Sequence, residues 1–308
     1  MRHIATLGFV GLLLALAPVA RAQSPRVVVV AIDAKTQEAL GPFGGAYRAR
    51  HAALIEALNA GGVRGIGFDV YFPDNPEQVA GTTALANAAR ASRAPVVLSI
   101  LTELQDDETV VTPNADVIRA AGVRQGAVMA RDELLVSGTP RALEVGAGEK
   151  LVVAESGDFR ALTLELGLAT GALTPEDVAR LVKPVTVGVN TATGERETVD
   201  AIRPSLTDPS RVTTVSYVDV LEGRVDPSVL NGALVLVGID DGVNDVVDPN
   251  SSVQGQDAVS GVYLHAFALQ KGLRLADERA RRARGATTQT DPSPTRGLLG
   301  GVRDASAR

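Results

Sequence analysis

The chain contains no cysteine among its 308 residues. That excludes disulfides, thiolate metal sites, iron–sulfur clusters and cysteine nucleophiles together. It also excludes the acylated cysteine of a bacterial lipoprotein. Tryptophan is absent and aromatics make up only 3% of the chain. A stacking platform for sugars or nucleobases is therefore not expected. Positive charge is also in deficit: 30 Lys and Arg stand against 36 Asp and Glu, a net charge of −6. This is a poor footprint for a nucleic-acid binder. Beyond the N-terminus no stretch reaches the 18 apolar residues of a membrane helix. Several motifs are missing too. There is no H-x-x-x-H pair for a zincin and no G-x-S-x-G elbow. Gly41–Gly45 lacks the Lys-Ser or Lys-Thr of a phosphate-binding loop. The glycines at 61, 62, 65 and 67 lie between helix and strand, the wrong order for a dinucleotide fingerprint.

The charge that is present is unevenly spread. Residues 272–308 carry eight arginines against four acids, and residues 1–22 carry two arginines and no acid. The stretch between therefore holds −12, an acidic globule with a basic tail. The first 22 residues read as a secretory leader. Arg2 precedes an apolar run from Ile4 to Val19, and Ala20-Arg21-Ala22 forms an A-x-A cleavage site. Cleavage after Ala22 would place the mature protein in the periplasm or outside the cell, with no transmembrane segment.

The remaining 45%-apolar composition is that of a folded globular protein. Val27–Ile32 and Ala233–Ile239 are continuous apolar runs, as expected of parallel strands buried on both faces. Arg48–Ala60 has helical spacing of Leu54, Ile55 and Leu58, and Val63–Tyr71 returns as a strand, completing a β-α-β unit. The pattern continues with a helix from Thr82 and Thr83, as caps, to about Arg93, and a strand at Val96–Ile100. Asn114–Ala121 and Ala161–Ala169 read as helices, and Thr174-Pro175 as a capped helix start. Val185–Val189 and Glu197–Ile202 flank a turn at 190–194 and predict a hairpin. Thr213–Tyr217 reads as a short strand, and Gly261–Lys271 as an amphipathic helix. The expected fold is α/β: a mostly parallel sheet with flanking helices and an added β-hairpin, in one domain over 26–272. Residues 273–308 read as a frayed helix running into a disordered basic tail.

Ligands in open α/β sheets favour the crevice beyond the carboxyl ends of the strands. Three predicted strands end in acid, at Asp33, Asp69 and Asp240, and Asp74 and Asp245 follow closely. Three converging carboxylates would suit Mg²⁺ or Ca²⁺. The ordinary role of such side chains is as caps that accept backbone N–H bonds. Arg48 and Arg50 follow a glycine loop at a helix start, where an anion or a nearby Asp33 or Asp69 would be the partner. Only His51 and His265 remain beyond the leader, both on predicted helices, where a structural hydrogen bond is the ordinary role.

Six segments taken in order carry a family resemblance. They are Val27–Asp33, Arg48 with His51–Ile55, Gly65–Phe72, Val215–Gly223, Leu230–Gly238 and Gly261–Ala266. Their order and spacing over 26–272 resemble the type-2 CHASE domain, an extracellular sensory domain associated with bacterial cyclases and kinases. The resemblance implies an α/β sensory module in which Asp33, Arg48, Asp69, Asp245, Pro249 and His265 line or brace one cleft; the strand-end reading adds Asp240 as a ligand contact. Three features depart from the family. Pro42–Tyr47 replaces its aromatic-proline stretch, Arg131–Gly138 matches its Asp- and Gly-rich segment poorly, and the membrane helices and output domain that usually follow are not seen. The expectation is a non-enzymatic, exported sensor that binds a small molecule or a membrane signalling partner and acts through that partner. The alternatives are a Mg²⁺- or Ca²⁺-assisted hydrolase using Asp33, Asp69 and Asp240, and a non-catalytic envelope interaction protein.

Overall fold

The computed structural model describes residues 25–288, with breaks at 106–107, 113, 129, 132–140, 143–150, 154, 157, 191–192, 195, 204–208, 243–245 and 248–258. The leader, Asp245, Pro249 and the tail from 289 lie outside the described residues.

The two β-branched and aliphatic runs form the centre of the main sheet. Strand β1 (Val27–Asp33) pairs along its full length with the last long strand, Leu234–Asp240, in parallel, so that Asp33 opposes Asp240. Around them lie β2 (Gly65–Phe68), β3 (Val96–Gln105), β4 (Glu108–Thr112), β5 (Arg124–Val128) and the edge strand Thr213–Ser216. Between β5 and that edge strand the chain makes short β6 (Ala130–Arg131), β7 (Arg141–Ala142), β8 (Leu151–Val153), β9 (Glu155–Ser156) and β10 (Phe159–Arg160). The hairpin β11 (Lys183–Asn190) and β12 (Arg196–Ile202) follows. The two main-sheet strands named by residue are β13 and β14, and β15 (Val246–Val247) pairs β16 (Val259–Ser260). The main sheet runs β13-β1-β14-β2-β3-β4, with β5 also on β3. Every pairing is parallel except β3 with β4. The predicted hairpin joins β6, β7 and β8 in a separate antiparallel sheet.

The period-2 alternation of the strands divides their side chains between two cores. Val28, Val30, Ile32, Ile66, Phe68, Val235 and Val237 face one core. It is roofed by α2 (Tyr47–Ala60), α3 (Val79–Ala91), α4 (Asp116–Ala120), α7 (Tyr217–Leu221) and α8 (Pro227–Leu230). Val27, Val29, Ala31, Leu234 and Leu236 face the other. That core is roofed by α5 (Leu162–Ala169), α6 (Pro175–Leu181) and α9 (Gly261–Thr288). Helix α1 (Ala34–Leu40) links β1 to α2. The spaced glycines of β2 serve the second face. A Cβ on Gly65 would sit 2.4 Å from Thr170, one on Gly67 2.9 Å from Leu236, and one on Gly126 2.6 Å from the Leu162 backbone. They let α5 lie directly on the sheet.

Several local expectations change. Asp33 ends β1 but opens α1, which the glycine-rich stretch had concealed: its Oδ1 accepts the Thr36 N–H at 2.8 Å. Helix α3 starts at Val79, and Thr82 and Thr83 do not cap it; their hydroxyls donate back to the Gln78 and Val79 carbonyls. The strand expected over Thr213–Tyr217 stops at Ser216, where α7 begins. Thr174 does cap α6, in a reciprocal capping box with Asp177. Helix α9 extends well past Lys271, to Thr288, and is tied down by Arg279, whose Nε and Nη2 donate to Asp177 at 2.8 and 3.0 Å. That pair holds the Asp177 carboxyl down at about 2, with Arg279 the main cause.

Candidate functional site

The strand-end acids do not share one environment. Asp33 caps α1 and also accepts a hydrogen bond from Ser216 Oγ at 2.9 Å, which in turn lies 3.0 Å from Thr36 Oγ1. It is therefore a local brace that fastens α1 to β13. Asp240, its neighbour across the sheet, accepts from Ser260 Oγ at 2.8 Å and from Tyr263 Oη at 2.7 Å. Those partners lie just before and within the first turn of α9. Burial is the main cause that pushes the Tyr263 hydroxyl up to about 12, so it stays protonated and donates. Asp240 thus fixes the start of α9 over the sheet.

Asp69 differs. It directly follows β2, its backbone N–H donates to the Val237 carbonyl at 2.7 Å, and its side chain is 8% exposed. No hydrogen-bond partner reaches Oδ2 among the described residues. The neighbouring ionisable group is His265 on α9, whose Nε2 lies 3.9 Å from Oδ1, too long for a hydrogen bond. Desolvation raises the Asp69 carboxyl from its ordinary value to about 7. A buried carboxyl is cheaper protonated than ionised unless something supplies charge or donors. Among the acids read as site candidates, Asp69 is the one with a buried oxygen that no hydrogen bond reaches among the described residues.

Arg48 lies on the other face of the sheet. It is buried on α2, donating to Thr82 Oγ1 at 2.7 Å and to the Pro73 carbonyl at 2.6 Å. The salt bridge expected with Asp33 or Asp69 is not formed, because Arg48 points along α3 and the loop after β2. Arg50 donates to the Leu40 carbonyl and lies 5.0 Å over the Tyr47 ring. Asp74 accepts the Asp116 N–H at 3.3 Å. Asp69, Asp240 and His265 thus gather on the α9 side, Asp33 braces the adjoining strand end, and Arg48 is part of a core. Asp245 and Pro249 lie outside the described residues. No group of three His, Asp or Glu side chains among the described residues is arranged to hold a metal ion.

Sequence reading missed the hydroxyl partners Ser216, Ser260 and Tyr263. Ser260 and Tyr263 lie three residues apart at the mouth of a helix, a spacing that puts both near one strand end. Reading also missed the surroundings of His51. This ring is fully buried, with edge-on contacts to Phe68, Phe72 and Tyr217 at 5.2, 5.5 and 5.5 Å between centroids. Its Nδ1 is 3.0 Å from Tyr217 Oη. Burial, then the Arg48 charge, lowers its pKa to about 3, so it stays neutral and structural.

Among the described residues no helix is long and apolar enough to cross a membrane. No curated protein and no solved structure matches the chain. The CHASE2 domain family matches residues 6–300, nearly the whole chain. The protein therefore belongs to the CHASE2 family of extracellular sensory domains.

Proposed function

We propose that this protein is an exported sensor that binds a small molecule at the carboxyl ends of β2 and β14, with Asp69 as the central contact and His265 beside it. The observation that carries this reading is the unpartnered Oδ2 of a buried carboxylate at the strand ends. Native interiors rarely leave such an atom unmatched, and a ligand that brings a donor or positive charge would match it. Asp240, Ser260 and Tyr263 form the adjoining wall. Helix α9 carries both Tyr263 and His265 and runs on for 28 residues, about 42 Å at 1.5 Å per residue. A ligand that moves its first turn displaces its far end, which gives the sensor a route to a partner protein. The leader places the protein in the periplasm or outside the cell, and the partner is a membrane signalling protein.

A thermal-shift screen tests this. The intact protein is heated with divalent cations, EDTA, small metabolites and cell-wall fragments in turn. A compound bound to the native state at 100 times its dissociation constant adds about 2.7 kcal/mol. The expected result is a stabilising compound whose effect disappears in Asp69→Asn. A shift that survives unchanged in both Asp69→Asn and His265→Asn rejects the site. A cation shift abolished by Asp33→Asn would instead favour a metal centre at the strand ends.

A further inference from the structure

The opposite end of the sheet holds a second feature, far from the acids. There, where β1 and β13 begin, an open groove of about 330 Å³ is lined by Arg26, Arg211, Arg274, Thr213, Gln270 and Asp277 among others. The three arginines come from separate parts of the chain: the lead into β1, the turn at Pro209–Arg211, and the middle of α9. None of the three guanidinium groups has an acid partner or a hydrogen bond among the described residues. Elsewhere Arg119, Arg124, Arg224 and Arg279 are paired with acids. The fold thus gathers three cations against one aspartate, on a chain whose net charge is −6.

From this geometry we infer an anion site for a phosphate monoester. Three arginines and one aspartate leave a surplus of two positive charges, which a phosphate dianion balances. Guanidinium groups bind phosphate oxygens in bidentate fashion, and Thr213 and Gln270 add neutral donors at the same groove. The volume is at the small end of ligand pockets and admits a phosphate with a short ester arm. Two sources carry that chemistry, a soluble phosphate ester and the headgroup of a phosphatidic-acid-type lipid. The site is independent of the Asp69 reading, since it lies at the other end of the strands.

Two arms of one experiment separate the sources. Inorganic phosphate is titrated into the intact protein by calorimetry, and the protein is co-sedimented with phosphatidylcholine vesicles with and without phosphatidic acid. Each arm is repeated with the triple variant Arg26→Gln, Arg211→Gln, Arg274→Gln. These side chains are exposed, so the variant is expected to keep its melting temperature. A second variant, Arg281→Gln with Arg282→Gln, controls for the arginines further along α9. Binding in either arm that weakens about tenfold or more in the triple variant, and stays within about twofold in the control, supports the site. Binding of phosphate identifies a soluble ligand, and binding of vesicles alone identifies a lipid. Absence of binding in both arms overturns the inference. So does binding that the triple variant retains, or that the control loses equally.

Discussion

The two faces of the sheet each bury one histidine, and they use it in opposite ways. On the α2–α3 face, His51 sits inside a ring of Phe68, Phe72, Tyr47 and Tyr217, with a hydrogen bond to the Tyr217 hydroxyl. That face also buries Arg48, with two short hydrogen bonds of its own. Within that cage His51 Nε2 alone has no hydrogen-bond partner among the described residues. On the α9 face the lining is mainly aliphatic, with Tyr263 and Phe267 among it, and His265 Nε2 lies 3.9 Å from Asp69 Oδ1. Burial alone therefore does not mark function. On the first face the unpartnered atom is Nε2 of a histidine kept neutral inside an aromatic cage, whereas on the second it is Oδ2 of Asp69, an acid that a donor or a positive charge would match.

The comparison breaks most visibly at His51. Replacement by Ala removes a fully buried ring from an aromatic cage and leaves the Tyr217 hydroxyl without its partner. The expected loss is about 3–5 kcal/mol, read as the midpoint of urea unfolding. A loss below about 1 kcal/mol would mean the aromatic core is not the rigid half of the molecule.

A smaller effect, and a sharper one, lies in the pH dependence. Burial lowers the His51 pKa to about 3 in the folded state, against an ordinary value of 6.5. Between those values the unfolded chain binds the extra proton, so stability rises with pH and is lost as pH falls toward 3. Asp69 does the reverse. Its folded pKa is raised from 3.8 to about 7, so the folded state holds the extra proton and stability falls as pH rises from about 4 to about 7. The two slopes oppose each other over the shared window. Asp69→Asn removes one of them: stability should then climb from pH 4 to 6.5, and should gain on the order of a few kcal/mol over the parent near pH 7. Urea midpoints measured at several pH values decide this. Parallel curves for parent and variant would show that Asp69 is already satisfied in the folded protein.

The smallest effect concerns the neighbouring strand end. Asp33→Ala should cost about 0.5–2 kcal/mol through loss of the α1 cap, with no change in ligand response. A ligand shift lost in Asp33→Ala, at preserved stability, would move Asp33 from brace to contact.

The sequence made some of this legible. β1 and β14 stand out because both of their faces are buried, so every position is apolar and the run is unbroken. The hairpin and the α6 cap were readable for a different reason: their signals lie within a few residues of one another. Helices α1 and α7 were not readable. Each is seven residues or fewer, too short to stand without help, and each is held by side chains from the other. Thr36 of α1 accepts the Val218 N–H, and Lys35 pairs with Asp219 at 2.7 Å. Arg48 misled because a helix start attracts anions in general, whereas the packing of α3 supplied Thr82 and the Pro73 carbonyl instead.

By itself the sequence determined the alternation of strand and helix, the acids at the strand ends and the family to which the chain belongs. Those properties follow from local order: which residues are apolar, at what period, and what ends each run. Tertiary structure alone decided which acid was left unmatched. Inserting β14 between β1 and β2 sets Asp240 beside Asp33 and brings α9 across the sheet from more than twenty residues downstream. Ser260 and Tyr263 then reach Asp240, Ser216 reaches Asp33, and His265 Nε2 comes to 3.9 Å from Asp69 Oδ1, beyond hydrogen-bond distance. Desolvation and pairing depend on these distant neighbours and not on residue type, so three aspartates with the same position in the local pattern acquire different chemistry.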